Sequence, residues 1–152
     1  MRFIAKIQDA EILEPLIPTV KQNLTYKHQY VKKYAALCIF HIHRNFGSHL
    51  LPDGPELMEN LIVAPETDMA ARRNAFLMLC NEAEDLAIEF LVNNMEEIGK
   101  FGDGFCLQVL ELTRKVCRKD PSQKSRFIRC VFMMLQSNSA AVSYEAAWTL
   151  VS

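Results

Sequence analysis

Val31-Lys32-Lys33-Tyr34-Ala35 recurs 40 residues later as Ala71-Arg72-Arg73-Asn74-Ala75. A weaker copy, Val142-Ser143-Tyr144-Glu145-Ala146, begins 71 residues after the second, which is two further steps of about 35 with one degenerate copy between them. Periods of this length are typical of stacked helical hairpins, in which each unit contacts its neighbours. The repeat therefore predicts an all-α, HEAT/armadillo-like superhelix of about four helical hairpins.

The spacing of apolar residues predicts eight helices. They cover residues 9–24, 28–45, 55–63, 68–81, 82–98, 104–118, 121–136 and 139–152. Asp9 and Asp68 are placed to cap the first and fourth helices. Pro15 and Pro18 predict a bend in the first helix, because each removes a backbone donor and crowds the preceding turn.

The second helix of each predicted hairpin aligns at residues 31, 71, 106 and 142. Four residues later come Ala35, Ala75, Leu110 and Ala146. A small side chain at this level allows neighbouring helix axes to approach closely, which adjacent repeats need. We therefore expect close contact at three copies and a wider one at Leu110.

Composition excludes several classes of protein. The chain carries 17 basic and 18 acidic residues, a balance that argues against a nucleic-acid partner. No stretch approaches the roughly 20 apolar residues of a membrane span. The five cysteines have no C-x-x-C pair and fall within apolar helical patterns, which predicts free buried thiols in a cytosolic protein. They are Cys38, Cys80, Cys106, Cys117 and Cys130.

No motif predicts catalysis, a cofactor or a metal site. Cys38 and His41 are i, i+3 neighbours that could share a helix face, but a third metal ligand is missing because His43 lies about 200° away from His41. Gly102-Asp103-Gly104 lacks the spacing of a phosphate-binding loop. The acidic residues at 82–85 fit the start of a helix better than an acid–base pair. We predict a protein that is not an enzyme.

Four basic residues recur one repeat apart and are the candidate partner-binding residues: Lys32, Lys33, Arg72 and Arg73. In a stacked array they would form a short row of basic side chains that contacts an acidic partner or lipid head groups. The alternative is that they pair with acids of the neighbouring turn, such as Asp68, or remain solvated, since surface ion pairs add only ~0–1 kcal/mol to stability.

Both ends of the chain suggest a segment of a longer array. Residues 1–8 contain Phe3, Ile4 and Ile7 without an opposing polar surface, and the last predicted helix has no C-cap. A natural solenoid closes with a polar capping repeat. We therefore expect residues 1–152 to form a single segment of a helical solenoid, truncated at both ends.

Longer stretches carry a family resemblance that is collinear over nearly the whole chain. They are residues 12–18 (ILEPLIP), 52–57 (PDGPEL), 73–79 (RNAFLML), 126–131 (RFIRCV) and 144–151 (YEAAWTLV). Together they resemble the adaptin-like trunk of the coatomer beta family. The chain departs from that family's pattern at Trp148, where a small residue is usual, and at Tyr34, where Asn is usual.

The resemblance implies a non-catalytic structural subunit of the COPI vesicle coat, acting in Golgi-to-ER and intra-Golgi protein transport. It implies binding to other coatomer subunits and to an Arf-family GTPase in its GTP form. It also implies peripheral attachment to the cytoplasmic side of Golgi and COPI vesicle membranes. Lys32, Lys33, Arg72 and Arg73 are the candidates for such contacts. A clathrin-adaptor trunk, a general HEAT scaffold and an all-helical enzyme remain the alternatives.

Overall fold

The structure, a computed structural model, describes residues 1–152 and contains no β-strand. The α-helices are α1 Ala10–Leu13, α2 Ile17–Asn23, α3 Gln29–Phe46, α4 Gly54–Val63, α5 Met69–Glu82, α6 Glu84–Asn93, α7 Asp103–Lys119, α8 Lys124–Leu135 and α9 Ala140–Val151. Short 3₁₀ helices cover Ile4–Lys6, Glu14–Leu16, Gly47–His49, Ile98–Phe101 and Pro121–Gln123. The prediction of an all-α fold is confirmed. None of these helices combines the length and apolar character that crossing a lipid bilayer demands.

The chain divides into two compact units, unit 1 (Met1–Ala87) and unit 2 (Ile88–Ser152). Unit 1 buries Ile39, Met58 and Phe76 completely, whereas Phe105 and Phe127 are almost fully buried in unit 2. Burying a side chain of this size contributes about 1.5–3 kcal/mol to stability, so each unit has a substantial hydrophobic core. That residues 1–152 are one segment of a longer array stays a prediction.

Two predicted helix starts are confirmed by their caps. Asp9 Oδ1 accepts a hydrogen bond of 2.9 Å from the backbone amide of Glu11, and Asp68 Oδ1 accepts one of 2.7 Å from that of Ala71. The first predicted helix is interrupted where the prolines occur, because the 3₁₀ helix Glu14–Leu16 separates α1 from α2.

Helices α3 and α5 of unit 1 lie side by side in the same direction. Near their starts, the backbone amide of Asp68 donates to Gln29 Oε1 at 3.1 Å. Near their ends, His43 Nδ1 lies 3.8 Å from Glu82 Oε2. Both contacts join residues 39 apart in sequence. The repeat read from the sequence therefore appears as a register between neighbouring parallel helices.

Helices α7 and α9 of unit 2 show the same arrangement. Arg114 Nη1 lies 3.0 Å from Thr149 Oγ1, 35 residues further on. A common cavity is lined by Cys106, which precedes Arg114 on α7, and by Val142, which precedes Thr149 on α9. The small residue expected between these helices, Ala146, is completely buried. Leu110 is equally buried, so the difference in spacing between the alanine positions and Leu110 stays a prediction.

One predicted helix is too long, and another begins differently. The helix predicted to reach Ile98 ends at Asn93, where the side chain and the backbone amide of Asn94 both donate to the carbonyl of Phe90, at 2.9 and 3.0 Å. Ile98 is still buried, but it belongs to a 3₁₀ helix. The helix predicted from 121 opens with the 3₁₀ helix Pro121–Gln123 before α8 begins.

Candidate partner-binding surfaces

Lys32, the first candidate residue, lies inside unit 1. Only 2% of its surface is exposed, and its Nζ lies 3.9 Å from Oε1 of Glu66 in the turn before α5. Gln29 fastens the same turn by donating to the backbone carbonyl of Glu66. A buried ammonium group requires such a partner, because an uncompensated charge in the interior is strongly unfavourable. Lys32 therefore supports the turn between α4 and α5.

Arg72, the equivalent residue on α5, is also directed at this turn. Its Nη2 lies 3.0 Å from the carbonyl oxygen of Ala64 and 3.5 Å from that of Pro65, so the guanidinium donates to the end of α4. The last carbonyls of a helix have no partner within the helix, and cationic donors are favoured there. Arg72 thus stabilises the α4–α5 connection.

Lys33 and Arg73, the other two candidate residues, are less buried than Lys32. Arg73 is exposed, and Lys33 Nζ lies 5.9 Å from the ring centroid of Tyr34. Because α3 and α5 run parallel with an offset of one repeat, these two cations lie at equivalent levels. We call these two residues, Lys33 and Arg73, the basic ridge.

An aromatic cluster adjoins the basic ridge. The rings of Tyr30 and Tyr34 are 4.5 Å apart, and the Arg2 guanidinium lies 4.6 Å from the centroid of Tyr34. A hydrogen bond from Arg2 lowers the pKa of Tyr34, whereas the hydrogen bond between the two phenols raises the pKa of Tyr30. Tyr34, one of the two departures from the family pattern, therefore adds an aromatic face to this surface.

Unit 2 carries a second cationic surface, which we call the basic groove. It is an open groove of about 720 Å³ between α7 and α9. Its lining residues are Glu111, Arg114, Lys115, Arg118, Lys119, Tyr144, Glu145 and Trp148. Four cations, two carboxylates and two aromatic rings give it a positive and partly apolar surface.

Arg114 fixes the geometry of the basic groove. Its Nη1 donates to Glu145 Oε2 at 2.7 Å and to Thr149 Oγ1 at 3.0 Å, which ties α7 to α9. Tyr144 and Trp148 are i, i+4 neighbours on α9 and are 68% and 55% exposed. The bulky Trp148 therefore lies at the surface, while Ala146 is completely buried.

An apolar cavity of about 290 Å³ adjoins the basic groove and shares Arg114 and Arg118 with it. Phe127 and Val131 of α8 and Leu150 of α9 form its apolar wall. We call it the anchor cavity. The charged lining of the basic groove therefore lies next to the apolar lining of the anchor cavity.

In the sequence, the cations of residues 114–119 have a simpler explanation, because positive charge is favoured at the end of a helix such as α7. The signal for a groove was present in two i, i+4 pairs, Arg114 with Arg118 and Tyr144 with Trp148. Recognising it required knowing that α7 and α9 lie next to each other and that Trp148 points outward.

The remaining candidates for chemistry do not assemble into a site. Cys38 is buried, whereas His41 is exposed and stacks on Phe40, so the two do not share a face. No group of three or more His, Cys, Asp or Glu side chains is placed to hold a metal ion. Burial raises the pKa of Cys106 to about 11 and that of Cys130 to about 12, which keeps these thiols protonated.

Parallel helices offset by one sequence repeat define a helical-repeat protein. The family described as Adaptin N terminal region matches residues 1–152, and the chain belongs to this family. The HEAT/armadillo-like fold class predicted from the repeat is thereby confirmed.

Curated relatives are similar over the full length of the chain. Coatomer subunit beta of Sus scrofa and that of Dictyostelium discoideum are each 45% identical over 152 residues, which is 100% of this chain and 16% of either protein. Coatomer subunit beta of Drosophila melanogaster is 42% identical over the same span. The chain thus spans 16% of the length of these relatives.

Proposed function

We propose that this chain is part of the helical trunk of a COPI coat subunit of the coatomer beta type. In this role it is a non-catalytic scaffold for intracellular protein transport between Golgi and ER and within the Golgi. Its partners are other coatomer subunits and an Arf-family GTPase in the GTP form. It acts in the cytoplasm, on the cytoplasmic side of Golgi and COPI vesicle membranes.

One observation carries this proposal: 45% identity to coatomer beta subunits without interruption over all 152 residues. Parallel helices in repeat register support it, because such stacks expose extended surfaces on which several partners bind through many modest contacts. The clathrin-adaptor trunk is the alternative, and the coatomer beta relatives favour the COPI coat.

The proposal is tested on the full-length protein that contains this chain. We expect a tagged protein, expressed from its own locus, to co-purify with the other coatomer subunits in equal amounts. Its recruitment to Golgi membranes should require an Arf-family GTPase loaded with a non-hydrolysable GTP analogue. Co-purification with clathrin-adaptor subunits, or with no coat subunit, would contradict the assignment.

Within this function we propose the basic ridge, Lys33 and Arg73, as a contact for an acidic partner surface. The double variant Lys33→Glu/Arg73→Glu should weaken capture of the GTP-loaded GTPase, since two favourable charges become repulsive. Its melting temperature should stay the same, because both residues lie outside the core. Lys27→Glu/Arg44→Glu, which reverses two exposed cations of the same unit, is the matched control. Unchanged capture by the ridge variant would exclude this surface.

A further inference from the structure

We infer that the basic groove and the anchor cavity of unit 2 together bind an acidic segment of a partner protein. The segment carries one aromatic or aliphatic anchor residue, which enters the cavity, while its carboxylates face the cations of the groove. This inference rests on the scaffold function proposed above and names the chemistry of one partner.

The distribution of charge is the first argument. Unit 2 contains eight Lys and Arg residues, and four of them lie within residues 114–119. The whole chain has a net charge of −1, so this local concentration is not a consequence of overall composition. Clustered cations attract an acidic partner and orient it before contact.

The apolar lining is the second argument, and it decides between kinds of ligand. Phosphate groups would be satisfied by cations alone, but here Trp148 and Tyr144 flank the groove and Phe127 lines the adjoining cavity. The cavity volume of 290 Å³ lies at the lower limit of the ~300–1,000 Å³ typical of small-molecule pockets. It therefore suits one anchor side chain, and aromatic or arginine residues around such a pocket commonly dominate binding energy.

Rigidity is the third argument. Arg114 is held by Glu145 and Thr149, and its side chain forms the wall shared by groove and cavity. A wall fixed before binding reduces the entropy lost when a ligand is ordered against it. Arg118, which is exposed and also borders both spaces, is the cation best placed to meet a carboxylate next to the anchor.

The test measures fluorescence anisotropy of a labelled peptide made of Asp and Glu around a central Leu-Phe pair. We expect the 152-residue chain to bind it. A peptide with Lys in place of the acids should not bind, and one with Ala-Ala in place of Leu-Phe should bind at least about tenfold more weakly. Equal binding of the Leu-Phe and Ala-Ala peptides would overturn the inference.

Variants locate the site. Arg118→Glu and Trp148→Ala should each weaken binding about tenfold, whereas Arg129→Glu, an exposed charge reversal on α8 outside the groove, should leave it unchanged. Circular dichroism melting shows whether each variant is folded. Equal loss in all three variants, or in none, would overturn the inference.

Two further arms exclude other occupants. The full-length protein that contains this chain should bind the same peptide, and failure there would overturn the inference. Vesicles containing phosphatidylserine that bind the chain equally well with Trp148→Ala would indicate a lipid ligand and overturn the inference. If the protein co-purifies with coat subunits but does not bind the peptide, only the inference about the groove is rejected. If it binds the peptide but does not co-purify with coat subunits, only the proposed COPI function is rejected.

Discussion

Burial controls the chemistry of the cysteines. Cys38, Cys80, Cys106 and Cys130 are buried, whereas Cys117 is partly exposed. Burial raises the pKa of Cys130 from its usual 9.0 to about 12, which lowers its thiolate population at neutral pH. Because thiolates are the reactive species, these buried thiols are stable against alkylation in the native protein.

We predict that native alkylation with iodoacetamide at neutral pH modifies Cys117 first. Burial also raises the pKa of Cys117, so the reaction should be slow, but its partial exposure admits the reagent. Mass spectrometry of tryptic peptides measures the order of modification. In urea, all five thiols should react at similar rates. Native modification of Cys38 or Cys130 before Cys117 would contradict the placement of these residues.

The sequence repeat identifies a set of cationic residues, but it does not show which of their side chains are accessible to a partner. Lys32 and Lys33 are adjacent, and the repeat marks them equally, yet one is buried against Glu66 and the other is at the surface. Successive residues of a helix point about 100° apart, and the faces covered by neighbours depend on tertiary packing. For the same reason, the outward direction of Trp148 could not be predicted from the chain alone.

The starts of two helices could be predicted from local sequence. The cap residues Asp9 and Asp68 could be identified from sequence because capping depends on atoms within three residues. The end of α6 could not, because Met95 and Ile98 continue the apolar spacing beyond Asn93. Asn94 donates to the carbonyl of Phe90 through its side chain at this point, a local interaction that leaves the apolar periodicity unchanged.

We predict that Asp68→Ala destabilises the protein by about 1 kcal/mol, because the amide of Ala71 loses its side-chain acceptor. Asp68→Asn should stay within a few tenths of a kcal/mol of the original protein, since Asn caps helices about as well as Asp. Urea denaturation followed by circular dichroism gives both values. An equal loss in the two variants would show that the charge of Asp68, and not its cap, is what matters.

At the scale of the molecule, stability rests on apolar packing within the two units. Several ion pairs are well exposed, such as Arg129 with Glu96, whose side chains are 74% and 80% exposed. Pairs of this kind add little to folding and are screened by salt. The basic groove and the basic ridge depend on charge, so folding and partner binding should respond differently to ionic strength.

We predict that raising NaCl from about 0.05 M to about 0.5 M shifts the melting temperature by no more than about 3 °C. Over the same range, binding of the acidic peptide to unit 2 should fall steeply, because its attraction to the groove is electrostatic. Differential scanning fluorimetry and anisotropy give the two responses on one sample. Parallel decline of both would mean that ion pairs support the fold itself.

The burial of Lys32 determines which lysine of this region can be modified after translation. An acetyltransferase or a ubiquitin ligase needs access to the ε-amine, which Lys33 offers and Lys32, with a side chain 3% exposed, does not. The equivalent pair, Arg72 and Arg73, has no lysine to modify. Among Lys32, Lys33, Arg72 and Arg73, a map of acylated lysines should therefore contain Lys33 alone. The absence of modified Lys32 would reflect its burial in the fold and not the preference of any enzyme.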